Sequence, residues 1–460
     1  MKELLTLSLT GIIIMLAEII NLRKFNFLLA LIGLVTTVSW CVFDYSVDIN
    51  QHLYGMMLYD KYANAFTLVM SLTAVIWLMF AEDSFEKLPD ATDRYALVLF
   101  VLVGGVTMVS YSNMSMLFIG IEILSISLYA LAGSNKTDLS SNESAFKYFL
   151  MGAFASGFLL LGIALIYGGT GKFDLDEIRR AVANSPAVNF GLIKLGVLML
   201  LIGLGFKVAA APFHFWAPDV YQGAPTPITA LMATIVKAAA MAAFYRLFSV
   251  CFTPIQNVWT DIIAVLIVMS LVVGNITAVM QNDAKRMLAY SSVSHVGYML
   301  FTLLCMGAYS QQALLFYTGA YSLATITAFT VLYVVQQAHQ TTSISAFNGL
   351  GKSHPVLAFA MSLSLLSMAG IPPLAGFMAK YYIFASAISQ GYIGLTLLGI
   401  AMSLVGIYYY FKIIIAMYSS PADEIDIKIA VSPLQNIVLI AGCLVLLALG
   451  ILPQILHGLI

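Results

Sequence analysis

The chain has 460 residues, of which 61% are hydrophobic and 9% are charged, and its formal net charge is −1. Soluble domains carry about 25% charged residues, so this composition excludes an ordinary soluble domain. A net charge near zero also excludes the basic surface that a nucleic-acid partner requires. Apolar runs of about 20 residues recur along the chain, which predicts an all-α polytopic membrane protein in contact with lipid.

These runs predict about fourteen transmembrane helices. In chain order they lie near residues 4–20, 25–43, 62–81, 95–111, 114–132, 146–167, 191–222, 227–250, 260–280, 287–306, 311–336, 355–388, 392–418 and 433–456. The first run is followed by Arg23 and Lys24 and has no small-residue cleavage site, so it is predicted to be a retained span. The seventh and twelfth runs are longer than a simple crossing needs, and both contain prolines.

The loop charges predict how the chain is oriented. If both termini face outward, the inner loops hold more lysines and arginines than the outer loops do. Lys87 and Lys428 are among these inner residues. The positive-inside rule therefore predicts termini on the outer, periplasmic side. The largest group of basic residues that this orientation places on the outer side lies within residues 168–188. This segment is predicted to form an outer loop with a short amphipathic helix.

The two proline-containing runs are similar to each other. The seventh has Lys207 before Pro212, and the twelfth has Pro372 and Pro373 before Lys380. They are five spans apart, and an odd offset reverses orientation, so two inverted five-helix repeats are predicted with discontinuous helices 7 and 12. The single membrane domain 1–460 then divides into helices 1–3 (1–94), a first repeat of helices 4–8 (95–250), an inverted second repeat of helices 9–13 (260–418) and helix 14 (433–456).

Two ionisable residues of the first half are expected to interact. Glu122 lies near the centre of the fifth run, where an ionisable group is usually functional. Lys207 lies close to the proline break, where freed carbonyls favour a hydrated pocket. We expect the two to form a pair whose opening releases a proton. The alternatives are a neutral Glu122 bound to a hydroxyl such as that of Ser125, and a Lys207 whose ammonium group reaches an interface.

Lys237 and His214 are further candidates near the same break. Lys237 has about ten apolar or small residues on either side and cannot easily reach water, as expected of a lysine that carries a proton. His214 follows Pro212 closely, and an imidazole can relay protons near neutral pH. A kink that only packs well is the structural alternative for this break.

The second half contributes three candidates. His295 lies among serines and Tyr298 in the tenth run, which favours a proton relay, although a hydrogen-bonded packing residue stays open. Lys380 follows the second break and is the predicted exit group. Lys412 is close enough to the inner end to reach water, so a path role and an interfacial role are both open.

Other polar residues receive structural interpretations. Asp219 is expected to cap the end of the broken seventh helix, and the run Tyr408–Tyr410 is expected to be an aromatic packing cluster. The four cysteines lie far apart with no metal-ligand spacing, and no dinucleotide fingerprint is present. The chain itself is therefore predicted to bind no metal and no redox cofactor.

Three segments resemble one family. They are GFKVAAAPFHFWAPDVYQGAPTPITALMATIVKAA (205–239), DAKRMLAYSSVSHVGYM (283–299) and MAGIPPLAGFMAKYYIF (368–384). The resemblance is to the antiporter-like membrane subunits of bacterial NADH:quinone oxidoreductase (respiratory complex I), of the subunit N type. It covers essentially the whole chain, and the first three spans match only in hydropathy.

The resemblance implies a role for each candidate. Glu122 corresponds to the fifth-helix glutamate, Lys207 to the seventh-helix lysine of a charge pair, Lys237 to the central lysine and Lys380 to the twelfth-helix lysine. His295 and the region of His214 fall on the family's hydrophilic axis. A lysine in the twelfth helix fits this subunit and not the M type, where glutamate is typical, and the long lateral helix of the L type is not expected.

The resemblance also implies partners, cofactors and location. Electrons pass from NADH through FMN and iron–sulfur clusters to quinone in partner subunits, and the released energy drives protons through this translocase subunit. The expected neighbours are the M-type antiporter-like subunit and small membrane subunits in the bacterial inner membrane. The alternatives are a subunit of a multi-subunit cation/proton antiporter, of a membrane-bound hydrogenase or ferredoxin-driven complex, or a passive scaffold.

Overall fold

The structure is a computed structural model that describes residues 1–47, 51–86, 91–184, 189–307, 309–419 and 429–459. Lys87 and Lys428, on which part of the orientation prediction depends, lie outside these ranges. The described chain is a bundle of helices, with one antiparallel hairpin of β1 (Gln51–Leu53) and β2 (Met57–Tyr59) between the second and third helices.

The helices follow the predicted runs in chain order. They are α1 (Lys2–Ile19), α2 (Asn26–Val47), α3 (Lys61–Glu86), α4 (Ala91–Ser110), α5 (Met114–Ala132), α6 (Leu139–Thr170), α7 (Leu175–Asn184), α8 (Phe190–Val208), α9 (Trp216–Gly223), α10 (Thr226–Leu231), α11 (Lys237–Val250), α12 (Gln256–Val279), α13 (Ala284–Leu304), α14 (Ser310–His339), α15 (Leu350–Ser353), α16 (Pro355–Ala369), α17 (Ala375–Ser389), α18 (Ile393–Ser419), α19 (Pro433–Ile451) and α20 (Gln454–His457).

The prediction of a polytopic helical membrane protein is confirmed. Within the described ranges, twelve helical segments are long and apolar enough to cross a membrane. The two other predicted spans correspond to α1, which carries three charged residues, and to the pair α16 and α17, whose halves are individually too short. The short amphipathic helix predicted within residues 168–188 is present as α7.

The seventh predicted span is broken as its proline predicts. Helix α8 ends at Val208, Ala209 takes the left-handed conformation with φ +60°, and helix α9 begins only at Trp216. Polar groups that the break would leave without partners are bonded. The indole Nε1 of Trp216 donates to the Phe206 carbonyl (3.0 Å), and the amide of Ala211 donates to Ser270 Oγ (2.9 Å). A break at membrane depth is tolerated because neighbouring side chains satisfy its backbone.

The twelfth predicted span is broken in a similar way. Helix α16 ends at Ala369, Gly370 turns the chain with φ +88°, and α17 begins at Ala375 after Pro372 and Pro373. The left-handed conformation suits glycine because it has no side chain to clash with the backbone. The discontinuity of helices 7 and 12 is thus present in the described chain.

The helices that carry the central candidates are enclosed by the rest of the bundle. In the segment Thr226–Val250, which contains Lys237, all residues of the apolar window are buried, and in the apolar windows of α13 and α14 94% of the residues are buried. In α6, α18 and α19 only 33–39% of the residues in the apolar part of the helix are buried, so these helices lie at the periphery of the bundle. Lys237 therefore faces protein and not lipid.

Candidate functional site

Lys207 is held by two hydroxyl groups. Its side chain lies in the last turn of α8, next to the first break, and is 7% exposed. The ammonium Nζ donates to Ser125 Oγ at 2.6 Å and to the Tyr129 hydroxyl at 3.5 Å, both on α5. The burial excludes the alternative in which Lys207 extends to an interface.

Glu122 and Lys207 form no direct ion pair within 4.0 Å in the described chain, so the predicted pair is not in direct contact. Its carboxylate Oε1 accepts a hydrogen bond from Ser156 Oγ of α6 at 2.6 Å, and the residue is half-buried. Glu122, Ser125 and Tyr129 follow each other at helical spacing along α5, so the serine that holds Lys207 lies one turn from the carboxylate. A charged carboxylate one turn from the hydroxyl that holds Lys207 acts on that ammonium group through space, because the surrounding protein screens charge weakly.

Among the residues that the structure describes, Lys237 donates to one acceptor, a backbone carbonyl. It is 2% exposed, and its Nζ donates to the carbonyl oxygen of Ser292 on α13 at 2.7 Å. The residue follows a π-helical turn at Met232–Val236. Such turns are rare and are frequent at functional sites because they change the direction of the side chains that follow.

His295 lies between two tyrosine hydroxyls. Its Nδ1 is 2.7 Å from the hydroxyl of Tyr317, and its Nε2 is 3.0 Å from that of Tyr410. Tyr410 also hydrogen-bonds the side chain of Ser291. Ser291 is followed by Ser292, whose carbonyl accepts the hydrogen bond from Lys237. The Tyr410 hydroxyl therefore connects His295 to the surroundings of Lys237.

Lys380 crosses the second break to reach its acceptors. It is 7% exposed, and its Nζ donates to the carbonyl of Ala369 (2.8 Å) and to Ser403 Oγ (2.7 Å). The same nitrogen lies 4.8 Å from the ring centroid of Tyr298. A cavity of about 10 Å³ lies between His295 and Lys380, comparable to the space that one water molecule needs.

The described residues thus bring the candidates into two groups. The first group holds Glu122 and Lys207, and the second holds Lys237, His295 and Lys380. No hydrogen bond within the described ranges joins one group to the other. His214 also stands apart: it is 5% exposed, its Nδ1 has no hydrogen-bond partner in the described chain, and its ring packs against Phe215 and Tyr290.

Two other predictions are resolved by geometry. Lys412 donates to the Gln281 carbonyl (2.8 Å) and to Asn282 Oδ1 (2.9 Å), which favours the interfacial alternative. Asp219 does not cap a helix; it lies in the first turn of α9 and forms ion pairs with Lys147 and Arg286 at 3.1 and 2.8 Å.

Sequence reasoning missed several hydroxyl groups of the site. The tyrosine run is predicted to be a packing cluster, and the rings of Tyr409 and Tyr410 do pack at a tilt of 57° with centroids 4.5 Å apart, yet Tyr410 also hydrogen-bonds His295. No sequence pattern identifies Tyr317 and Ser403 as site residues, because a hydroxyl in a helical run does not reveal which neighbour it faces.

The three central lysines share one electrostatic property. Lys207, Lys237 and Lys380 donate only to hydroxyl and carbonyl oxygens, and no carboxylate of the described chain lies within 4.0 Å of them. A lysine at bilayer depth costs about 2.5–3.5 kcal/mol, and hydrogen bonds to a charged group return about 1.5–3 kcal/mol each. The two terms are similar in size, so such an amine can hold or release its proton.

Within the described ranges, no group of three His, Cys, Asp or Glu side chains is arranged to hold a metal ion.

Solved structures give the same fold. A chain of respiratory complex I from Thermus thermophilus superimposes with a TM-score of 0.84 at 34% identity, over 99% of this chain and 98% of that one. A chain of the Mrp complex from Dietzia has a TM-score of 0.88 over 99% and 95% of the two chains, and its 20% identity indicates the fold alone.

Sequence comparisons give the family. The model for NADH:quinone oxidoreductase/Mrp antiporter transmembrane proteins matches residues 112–406. Subunit N of NADH-quinone oxidoreductase from Cytophaga hutchinsonii is 43% identical over 457 residues, which is 99% of this chain and 98% of that protein. The subunit N from Flavobacterium psychrophilum is 41% identical over 99% of both. The resemblance inferred from the three sequence segments is confirmed, and the chain belongs to the NADH-quinone oxidoreductase subunit N family.

Proposed function

We propose that this chain is a proton-translocating subunit of NADH:quinone oxidoreductase, a translocase component without redox chemistry of its own. One observation carries the proposal. Lys207, Lys237 and Lys380 are buried in the bundle, are held only by neutral oxygens, and have no carboxylate partner within 4.0 Å in the described chain. Amines in this setting can exchange protons when nearby charge changes.

Each group then has a role along the membrane plane. Glu122 acts electrostatically on Lys207, which binds a proton beside the first break. Lys237 is the central carrier, His295 relays between it and the second break, and Lys380 is the exit group. Tyr317 and Tyr410 hold the His295 ring and extend its hydrogen-bond chain.

The proposal includes the two inverted repeats, 95–250 and 260–418, flanked by 1–94 and 433–456. In this scheme α8 with α9 corresponds to α16 with α17, and α5 corresponds to α13. Both break lysines lie near a tyrosine of the corresponding helix: Lys207 Nζ is 5.8 Å from the Tyr129 ring centroid, and Lys380 Nζ is 4.8 Å from that of Tyr298. This similarity supports the repeats.

The proposal also covers the cofactors and partners that the family resemblance implies, and the orientation that the loop charges predict. FMN, iron–sulfur clusters and quinone belong to partner subunits, and the neighbours are the M-type antiporter-like subunit and small membrane subunits. The chain lies in the bacterial inner membrane with both termini outward. The half-buried Glu122 and the exposed faces of α6 and α18 leave room for contact with lipid or with neighbouring subunits.

The test is Lys237→Met in the assembled complex, with Lys194→Met as the matched control because Lys194 is exposed on α8. NADH-driven proton uptake by inverted membrane vesicles is measured, and assembly is checked on native gels. We expect proton uptake to fall about tenfold or more in Lys237→Met, since proton-transfer groups contribute at least that factor. An assembled Lys237→Met complex that takes up protons normally would favour a passive scaffold.

A further inference from the structure

Lys285 is a buried lysine that the proposed path does not use. The sequence places it at a loop, yet it is 2% exposed in the second residue of α13. Its Nζ donates to the carbonyl oxygens of Ala224 (2.5 Å) and Gln222 (3.2 Å), at the end of the half-helix α9. No carboxylate of the described chain lies within 4.0 Å of this amine, so its setting resembles that of the three central lysines.

Lys285 lines a polar cavity of about 400 Å³. The cavity lies where α4 and α13 begin, and its lining includes Asp138, Gln222, Thr226, Tyr333 and Gln336. A polar cavity of this volume suits on the order of ten water molecules. An apolar cavity of about 680 Å³ beside Phe154 and Phe213 has no such lining. The polar cavity therefore offers water-borne protons to Lys285.

Tyr221 has neighbours in the surroundings of both Lys285 and the central lysine. Tyr221 precedes the residue whose carbonyl binds Lys285, is 1% exposed, and its hydroxyl makes no hydrogen bond of ordinary geometry in the described chain. The hydroxyl lies close to the side chain of Ser292, and the carbonyl of Ser292 is the acceptor of Lys237.

We propose that Lys285 takes up protons from the polar cavity and passes them through the Tyr221 hydroxyl to Lys237. This inference rests on the proposed function, because it supplies the proton source for the same path. The step moves one proton at a time: the Lys285 ammonium releases a proton, and the Lys237 amine gains one. No bond to carbon changes and no electrons are transferred.

The rival explanation is structural. A cation near the last carbonyls of a helix stabilises its C-terminus, and Lys285 lies at the end of α9. The two explanations differ for arginine. A guanidinium keeps the charge and the donors, so it replaces a structural cation, but it does not release a proton in proteins.

The experiment compares Lys285→Arg and Tyr221→Phe in the full complex, with Lys352→Arg as the control at an exposed lysine. NADH-driven proton uptake by inverted vesicles is the readout. We expect Lys285→Arg to lower it about tenfold or more. Tyr221→Phe keeps the ring and removes one hydroxyl, which costs about 0.5–1.5 kcal/mol at most, and we expect it to slow proton uptake severalfold.

The outcomes are distinct. If Lys285→Arg takes up protons at the rate of the unaltered chain, Lys285 is a structural cation and the inference is wrong. If Lys285→Arg does not assemble, Tyr221→Phe decides, because normal proton uptake in that variant also overturns the inference. Lys237→Met is measured in parallel: when it alone abolishes uptake, only this inference fails, and when it too has no effect, the proposed function fails.

Discussion

The ammonium group of Lys380 donates a hydrogen bond to the carbonyl oxygen of Ala369, 2.8 Å away, across the break between α16 and α17. Ala369 is the last residue of α16, where unbonded carbonyls carry partial negative charge. The broken helix thus supplies the acceptor for a buried lysine in place of a carboxylate. A neutral acceptor leaves the amine free to change its protonation state.

Gly370→Ala is expected to disturb this arrangement. Gly370 has φ +88°, and a Cβ there would lie 2.9 Å from the Cδ atom of Lys380. The left-handed conformation costs a non-glycine residue about 1–2 kcal/mol, and the contact forces the lysine side chain to move. We expect a lower thermal midpoint for the complex and slower proton uptake, measured by thermal unfolding and by the vesicle assay.

The control for this prediction is Ala209→Gly at the other break. Ala209 already has φ +60°, so glycine relieves strain at that position. We expect an unchanged or slightly higher thermal midpoint. A Gly370→Ala complex as stable and as active as the unaltered one would contradict the account of the second break.

Tyr410→Phe is expected to slow proton translocation. The Tyr410 hydroxyl joins His295 Nε2 to Ser291, and phenylalanine keeps the ring while removing both hydrogen bonds. The loss of the hydrogen bonds costs about 0.5–1.5 kcal/mol each, so the complex assembles while proton uptake falls severalfold. Tyr408→Phe is the control, because Tyr408 is 64% exposed. Equal proton uptake in the two variants would remove Tyr410 from the path.

Glu122→Gln is expected to impair proton exchange at Lys207, the other member of the first group. The amide keeps the size and can still accept the hydrogen bond from Ser156, but the charge that acts on Lys207 is lost. We expect slower NADH-driven proton uptake with normal assembly. Glu143→Gln is the control, since Glu143 is an exposed carboxylate that pairs with Lys147. If Glu122→Gln behaves like Glu143→Gln, the carboxylate has only a packing role.

The sequence predicts the helices and their breaks well, for physical reasons. Apolar runs of about 20 residues have few alternatives to a membrane helix. Pro212, Pro372 and Pro373 remove backbone donors, which interrupts a helix wherever they occur in its interior. The burial of Lys237 is also predictable, because the apolar residues on both sides place it at mid-depth.

The contacts inside the bundle are less predictable. The rotation of a helix about its axis decides which side chains meet, and hydropathy does not fix that rotation when the helix is apolar all round. For this reason Glu122 bonds to Ser156 and not to Lys207. Lys285 was missed because it lies at the boundary of a span, where a lysine usually extends to water.

The most direct test of the central claim, that buried amines gain and lose protons, is Lys237→Arg. Arginine keeps a positive charge beside the Ser292 carbonyl and retains its protons, so the assembled complex is expected to lose proton uptake as completely as Lys237→Met. Lys194→Arg is expected to leave uptake unchanged. Normal NADH-driven proton uptake by the Lys237→Arg complex would contradict the account, because it would mean that only the charge at this position matters.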